Sequence, residues 1–453
     1  MHFVKDKGFY KSLWMIVFPI AIQNLITFGI NMMDTVMLGE FGDTIISAAN
    51  LASQPFFIFT LLTYGIAGGS SVLASQYWGR GEVETVRKII AIALRVAFLA
   101  SILFSTVVLC FPQVIMQIYT DDPEIIRHGT DYLRIVGYIY LFFGISNTFV
   151  SVIRSMEIVV ISVISNLITF VANVFFNWIF IFGELGAPAL GIKGAAVGTL
   201  IARIIEFCVL MTYAFLIDKK LRFRLRYLLD WTATLWKDFF RYSLPVTANE
   251  LLWSLGTSIQ AMIFGRIGEV AVAANSITGI VQQLATIAIF GVANAAAVLV
   301  GKSIGAGENK RAKEISFTLT VISAGIGVLS GIMIFLLRNP VVDFYNISAE
   351  SKLLAKQMMI ITAVVVFFIS LSALFVVGIL RGAGDTTFAL TVDLSTLWLV
   401  SVPLGAIAGL LLNLPVPFVY LFFKLDEPVK VLCGLLRLKS GKWIRNVTRD
   451  ELR

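Results

Sequence analysis

Residues 19–82 of this 453-residue chain recur, diverged but recognisable, about 226 positions later, and a repeat of that size fixes a ground plan before any single residue is weighed. Pro19 answers to Pro245, Gly39 to Gly265 and Gly42 to Gly268. Ala49-Asn50 answers to Ala274-Asn275 with one residue deleted, Gly81-Glu82 to Gly307-Glu308, Tyr119 to Tyr345 and Arg154 to Arg381. The duplicated chain is 58% hydrophobic and only 14% charged, with a mean hydropathy of +0.87, far outside the range of soluble domains. Duplication in an apolar chain is a recurring plan of secondary transporters, which form the binding region between or within the repeats.

A bilayer core takes about 20 apolar residues per helix. On that scale, spans lie near 13–34, 52–76, 89–111, 132–153, 158–183 and 192–217, and again near 242–264, 275–300, 315–337, 356–379, 387–409 and 414–434. Pro403, Pro415 and Pro417 blur the boundary between the last two. The first span is too long for a signal-peptide core and no small-residue cleavage site follows it. The expectation is an all-α membrane protein of twelve transmembrane helices: an N-terminal six-helix lobe (1–217), a basic cytoplasmic linker (218–241) and a C-terminal six-helix lobe with its tail (242–453). Six spans return the chain to its starting side, so the lobes should be related by a pseudo-twofold axis along the membrane normal. Outer loops are short except for 112–131.

With these spans roughly 28 Lys and Arg fall on the side of both termini, about 7 on the other side and one, Arg203, inside a span. The net charge of +8 therefore reads as a topology signal with both termini cytoplasmic, most simply in the plasma (inner) membrane. The cluster Lys219, Lys220, Arg222, Arg224 and Arg226 lies against anionic lipid, and nucleic acid is not an expected partner. Cys110, Cys208 and Cys433 form no CxxC pair or disulfide framework, and His2 and His128 lie outside the spans, so no histidine metal site or histidine catalysis is expected, and no metal beyond a possible sodium ion at Asp34.

Polar side chains inside the spans carry the functional information, because hydrocarbon makes them costly. The first span has Asn24, Thr27, Asn31 and Asp34 at i, i+3, i+7 and i+10, one slowly drifting stripe. The fifth has Asn166, Asn173 and Asn177 on one face. A carboxylate facing carboxamides is hard-oxygen chemistry, suited to a proton or a small alkali cation. Asp34 takes the ion-coupling role, since an intramembrane acid is functional by default, while the asparagines stay open between ion ligation and interhelical glue. Glu250, with Ser254, Thr257 and Ser258 on or near its face, is open between a coupling or cationic-substrate role and a packed structural acid. Its repeat partner is Asn24, and that of Asp34 is Gln260, so the chemistry of the halves should differ. Arg203 and Glu206, spaced i, i+3, read as a structural ion pair. Asp393, Gln282, Gln283 and Thr286 are cavity-lining candidates. Arg154 with Glu157, and Arg381 with Asp385, anchor helix ends at cytoplasmic turns.

These residues resemble the multidrug and toxic compound extrusion (MATE) family. The resemblance rests on PIAIQNLITFGINMMDTVMLGEFG (19–42), Gly79-Arg80-Gly81, the repeat opening LPVTANELLWSLG, Phe182-Gly183 with Pro188 and Gly191-Ile192-Lys193-Gly194-Ala195-Ala196, and Arg381-Gly382-Ala383-Gly384-Asp385-Thr386. It covers nearly the whole chain and is nearer the DinF-like branch. It implies two lobes around a cleft, and export of organic, often cationic compounds in exchange for sodium ions or protons. It also implies a cation site in the N-terminal lobe, which falls here on Asp34, Asn173, Asn177 and Thr199. Several relatives have a second acid where this chain has Asn177, and one branch has an acid in the tenth helix where this chain reads Ile369-Ser370-Leu371-Ser372.

The expected function is that of a cation-coupled exporter working by alternating access, with no cofactor beyond the coupling ion, small organic molecules as substrates, the bilayer as surroundings and a monomer as the working unit. No GxxxxGK[ST] is present to support ATP hydrolysis. A flippase for lipid-linked sugars would need an arginine-rich cleft, an intramembrane enzyme paired acids or a Ser/His dyad, and a channel has little support from two-lobe duplication.

Overall fold

In the computed structural model every regular element among the described residues, 3–345 and 347–449 without the side chains of Asn31 and Asp43, is a helix. In chain order these are α1 (Lys7–Gly39), α2 (Asp43–Ala52), α3 (Gln54–Gly79), α4 (Val83–Cys110), α5 (Pro112–Tyr119), α6 (Pro123–Val136), α7 (Ile139–Arg154), α8 (Val160–Phe182) and α9 (Ile192–Thr212). The second half has α10 (Ala233–Ile267), α11 (Glu269–Gly305), α12 (Asn309–Phe344), α13 (Ala349–Ala373), α14 (Thr386–Thr396), α15 (Val402–Ala406), α16 (Val416–Phe423) and α17 (Asp426–Ser440). Wider π-type turns continue α9 over Tyr213–Ile217, α13 over Leu374–Leu380 and α14 over Leu397–Ser401.

Each of the twelve expected spans coincides with a helix or a helix pair. Among the described residues nine helices are long and apolar enough to cross a bilayer, ten if α6 and α7, bent by 55°, count as one. Two expected spans fall short on their own because of their polar content: α10 carries Asn249, Glu250 and Gln260, and α16–α17 carries Asp426, Glu427 and Lys430. The 112–131 segment, expected as a loop, folds as α5 and the start of α6. Pro112 and Pro123 each stand at a helix N-terminus, and the Asp122 carboxylate caps α6 by accepting from the Glu124 N–H at 2.9 Å and the Ile125 N–H at 3.3 Å. Pro19 and Pro245 lie inside α1 and α10. Large apolar side chains such as Leu99, Leu103, Leu329 and Leu336 are exposed on helix faces, as lipid-facing positions should be.

The chain forms two compact units: Met1–Ala21, Ser75–Glu82 and Leu244–Arg453 in one, Ile22–Ala74 and Val83–Ser243 in the other. Residues 1–21 and 75–82 group with the second half for visible reasons. The Val4 N–H donates to Thr318 Oγ1 at 3.0 Å, and Gly79 and Gly305 carry no side chain where the backbones of Lys302 and Gln76 approach.

The C-terminal tail is strapped into the same unit. Gln76 donates to the carbonyls of Gly382 and Arg445, both at 3.2 Å, and its Oε1 accepts from the Val447 N–H at 2.9 Å. Trp443 is buried beside it. Asp385, fully buried, pairs with Arg437 at 2.8 Å and Arg445 at 2.9 Å, while Arg381 turns instead to Glu250. The expected anchoring of Arg381 beside Asp385 is thus corrected: the partners of Asp385 come from α17 and from the tail after it, beyond the reach of local spacing. Removing one partner of a buried ion pair costs about 3–5 kcal/mol. Asp385→Ala should therefore lower the thermal unfolding temperature and make the tail beyond Ser440 cleavable by trypsin under conditions that spare the parent.

Candidate functional site

Four of the polar residues singled out from sequence meet in one hydrogen-bonded chain. Asn177 Nδ2 donates to Asp34 Oδ1 at 2.6 Å and lies 3.4 Å from Asn173 Oδ1, and Asn173 Nδ2 donates to Thr199 Oγ1 at 3.1 Å. Asn173 and Asn177 are one helical turn apart on α8, so both face the same neighbours, and Thr199 comes from α9. The α8–α9 contact is close enough to make this reach because glycine leaves room. A Cβ at Gly198 would stand 2.2 Å from Asn177 Oδ1 and 2.7 Å from the Asn177 backbone N, and one at Gly194 would stand 2.2 Å from the Phe180 carbonyl oxygen.

The electrostatic setting is mixed. Asn173 and Asn177 are buried and Asp34 is half-buried. Asn177 Oδ1 is buried and has no hydrogen-bond partner among the described residues, leaving an acceptor beside the carboxylate. Arg203, one turn beyond Thr199 on α9, lies within electrostatic range of Asp34, but its guanidinium is engaged by Glu206 at 2.7 Å and sits 5.0 Å over the Phe143 ring. Tyr132 brings its phenol into electrostatic range of Asp34 as well.

The remaining candidates scatter. The Asn31 side chain lies outside the described residues. Asn166 turns back on its own helix, donating to the Ser162 carbonyl at 2.7 Å, and takes no part in the Asp34 chain. Gln282 accepts from the Tyr420 hydroxyl at 3.2 Å, and that hydroxyl also meets Thr362 at 2.9 Å. Gln283 is exposed, and its backbone carbonyl accepts from Thr286. Glu250 forms a 2.8 Å ion pair with Arg381. Asp393 accepts from Asn249 at 2.9 Å and pairs with Lys430 at 2.9 Å. Arg154, expected beside Glu157, donates to Gln23 at 2.8 Å.

The repeat explains part of this pattern. The first and fifth spans of each half exchange side-chain contacts, but the residue types differ. Asp34 meets Asn177 in one half, while Gln260, its counterpart, donates to Ser401 at 2.9 Å in the other. In the second half an acid–amide pair forms between Asn249 and Asp393, with the acid now on the later helix. Sequence reasoning missed Gly198, Tyr132, Gln23, Asn249 and the trio Asp426, Glu427 and Lys430. For the trio a signal existed: three charges at i, i+1 and i+4 inside the expected 414–434 span.

A family profile described as MatE matches residues 19–179 and 245–407, the two halves of the repeat. The chain is 24% identical over 453 residues to a protein of Thermotoga maritima named "Probable multidrug resistance protein NorM", covering 98% of this chain and 95% of that one. It is 25% identical over 397 residues to "Multidrug resistance protein NorM" of Aliivibrio fischeri, covering 86% and 85%. Among solved structures it resembles an outward-facing multidrug resistance MATE family transporter of the MOP superfamily, with a TM-score of 0.87 at 17% identity, covering 98% of this chain and 100% of that one.

Proposed function

Since this chain belongs to the MatE family, we propose that it is a cation-coupled antiporter that takes up sodium or a proton at Asp34 and exports organic, often cationic, compounds in exchange. The observation that carries this reading is the 2.6 Å contact from Asn177 to Asp34 beside the partnerless, buried Asn177 Oδ1. A carboxylate at membrane depth with one amide donor is under-compensated, and the neighbouring free acceptor adds a second oxygen for a small cation or for a proton-bearing acid. Asn173 and Thr199 extend that oxygen-rich set. Arg203 is held by Glu206, which leaves Asp34 free to accept an external cation. Multidrug resistance proteins among the relatives support an organic-compound substrate class.

In the proposed cycle ion uptake at Asp34 favours one orientation of the carrier and substrate the other, so neither returns without exchanging. The basic excess on the side of both termini supports a cytoplasmic position for them, and the proposed cycle is that of a monomer in the plasma membrane. Purified protein in liposomes loaded with a cationic dye tests the reading. Dye efflux should rise when one of the two gradients, sodium or pH, is imposed by itself. Equal efflux with either gradient present or with neither would contradict it.

A further inference from the structure

The unit that contains α10–α17 buries more negative than positive charge at one point. Lys430 Nζ lies 2.9 Å from Asp393 Oδ1, 2.8 Å from Asp426 Oδ2 and 3.4 Å from Glu427 Oε1. Asp393, Asp426 and Lys430 are buried and Glu427 is half-buried. Among the other charged groups on these elements, Arg381 pairs with Glu250 while lying within electrostatic range of Asp393, Arg437 pairs with Asp385, and Lys424 sits over the Tyr420 ring at 5.3 Å. Three carboxylates around a single ammonium leave two uncompensated negative charges if all are ionised, a state that a low-dielectric setting strongly disfavours.

The hydrogen bonds around Ser372 and Asn249 leave room for the missing positive charge. Ser372 Oγ is placed to donate either to the Ile369 carbonyl at 3.1 Å or to Glu427 Oε2. A hydroxyl has one hydrogen and two lone pairs. Both contacts are made together only when Glu427 is in its acid form and donates to the hydroxyl, whereas an ionised Glu427 takes the hydrogen and leaves the Ile369 carbonyl without it. A second observation is independent of the first. Asn249 donates its Nδ2 to Asp393 Oδ2 at 2.9 Å, while its Oδ1 is buried without a partner and the residue is only 4% exposed. By turning over, that amide serves Asp393 in either ionisation state, as donor to the carboxylate or as acceptor from the acid. The π-type turns Leu374–Leu380 and Leu397–Ser401 begin within about one helical turn after Ser372 and Asp393, the kind of backbone irregularity that gathers at functional sites.

We infer that Asp393, Asp426, Glu427 and Lys430 form a second protonatable site, one proton of which exchanges between Glu427 and Asp393. When the proton leaves Glu427 Oε2 for Asp393, Asn249 turns its Oδ1 to accept it, and the Ser372 hydrogen swings from Ile369 to the new Glu427 carboxylate. No other charge changes, and Lys430 remains a fixed cation throughout. The ammonium already fills the point on which the carboxylates converge, so the site takes a proton rather than an alkali ion. This site goes beyond the reading of Asp34 and does not depend on it.

Infrared spectra of the protein in lipid vesicles at neutral pH test the assignment through carboxylic-acid absorption, not transport. The parent should show an acid carbonyl band that falls by one carboxyl equivalent in Glu427→Gln, persists in Asp34→Asn and is unchanged by added sodium. Lys430→Gln, which removes the fixed cation, should gain one equivalent. If Glu427→Gln does not fold, Ser372→Ala retains the acid but removes its partner and should shift the band frequency. A band that is the same in Glu427→Gln as in the parent, that does not move in Ser372→Ala, or that sodium abolishes, overturns the assignment.

Discussion

Asp34→Asn should abolish gradient-driven efflux while leaving the protein folded and at normal abundance in the membrane. The asparagine is nearly the same size and keeps a hydrogen-bonding oxygen for Asn177, so the chain from Asp34 through Asn177 and Asn173 to Thr199 can persist in outline. What disappears is the charge. An ion coupled across a potential of about 100 mV supplies about 2.3 kcal/mol. Since a factor of ten in concentration corresponds to about 1.4 kcal/mol, loss of coupling lowers the attainable substrate ratio by roughly 50-fold for each ion exchanged. Substrate exchange in the absence of a gradient should survive, because Asp34 is assigned to the ion. Efflux from reconstituted vesicles with and without the imposed gradient separates the two effects, and full gradient-driven efflux by Asp34→Asn would refute the assignment.

Gly198→Ala should be nearly as damaging, although it adds a single methyl group. That methyl would lie 2.2 Å from Asn177 Oδ1 and 2.7 Å from a backbone nitrogen that cannot swing aside. Either α8 and α9 move apart or the Asn177 amide turns away from Asp34, and both break the 2.6 Å contact. Overpacking of this kind costs about 1–3 kcal/mol. The unfolding temperature should fall, and ion-coupled efflux should drop by at least about tenfold, the equivalent of losing ~1.4 kcal/mol of ion affinity. Gly265→Ala is the control: a Cβ there meets nothing within 4 Å, and both readouts should match the parent.

The sequence made the helices and the Asp34 constellation legible for different reasons. Helices announce themselves through long apolar runs, and the helical stripe on the fifth span put Asn173 and Asn177 on one face without any tertiary knowledge. Thr199 came only from family resemblance, because a lone threonine in a span has no pattern of its own. Stripe logic failed at Asn166, whose amide satisfies itself on the Ser162 carbonyl one turn back. Spacing cannot tell a side chain that reaches outward from one that folds onto its own helix. It also misdirected Arg154 and Arg381, each of which ignores the nearby acid in sequence for a partner on the first helix of its half, Gln23 and Glu250. Gly198 was invisible because its role depends on which backbone lies opposite. The Lys430 cluster was half visible: its charges stood out in an apolar run, but the convergence of Asp393 from α14 and Asn249 from α10 is a property of packing.

Asp34 is the group through which ion and substrate exchange in the proposed cycle. The most direct measurement follows the ion itself: vesicles containing the purified protein, with a trapped pH indicator or labelled sodium, are given substrate on one side and the ion is followed on the other. The parent should move protons or sodium opposite to substrate, and Asp34→Asn should move neither while still exchanging substrate. Ion movement of undiminished size through Asp34→Asn would contradict the account.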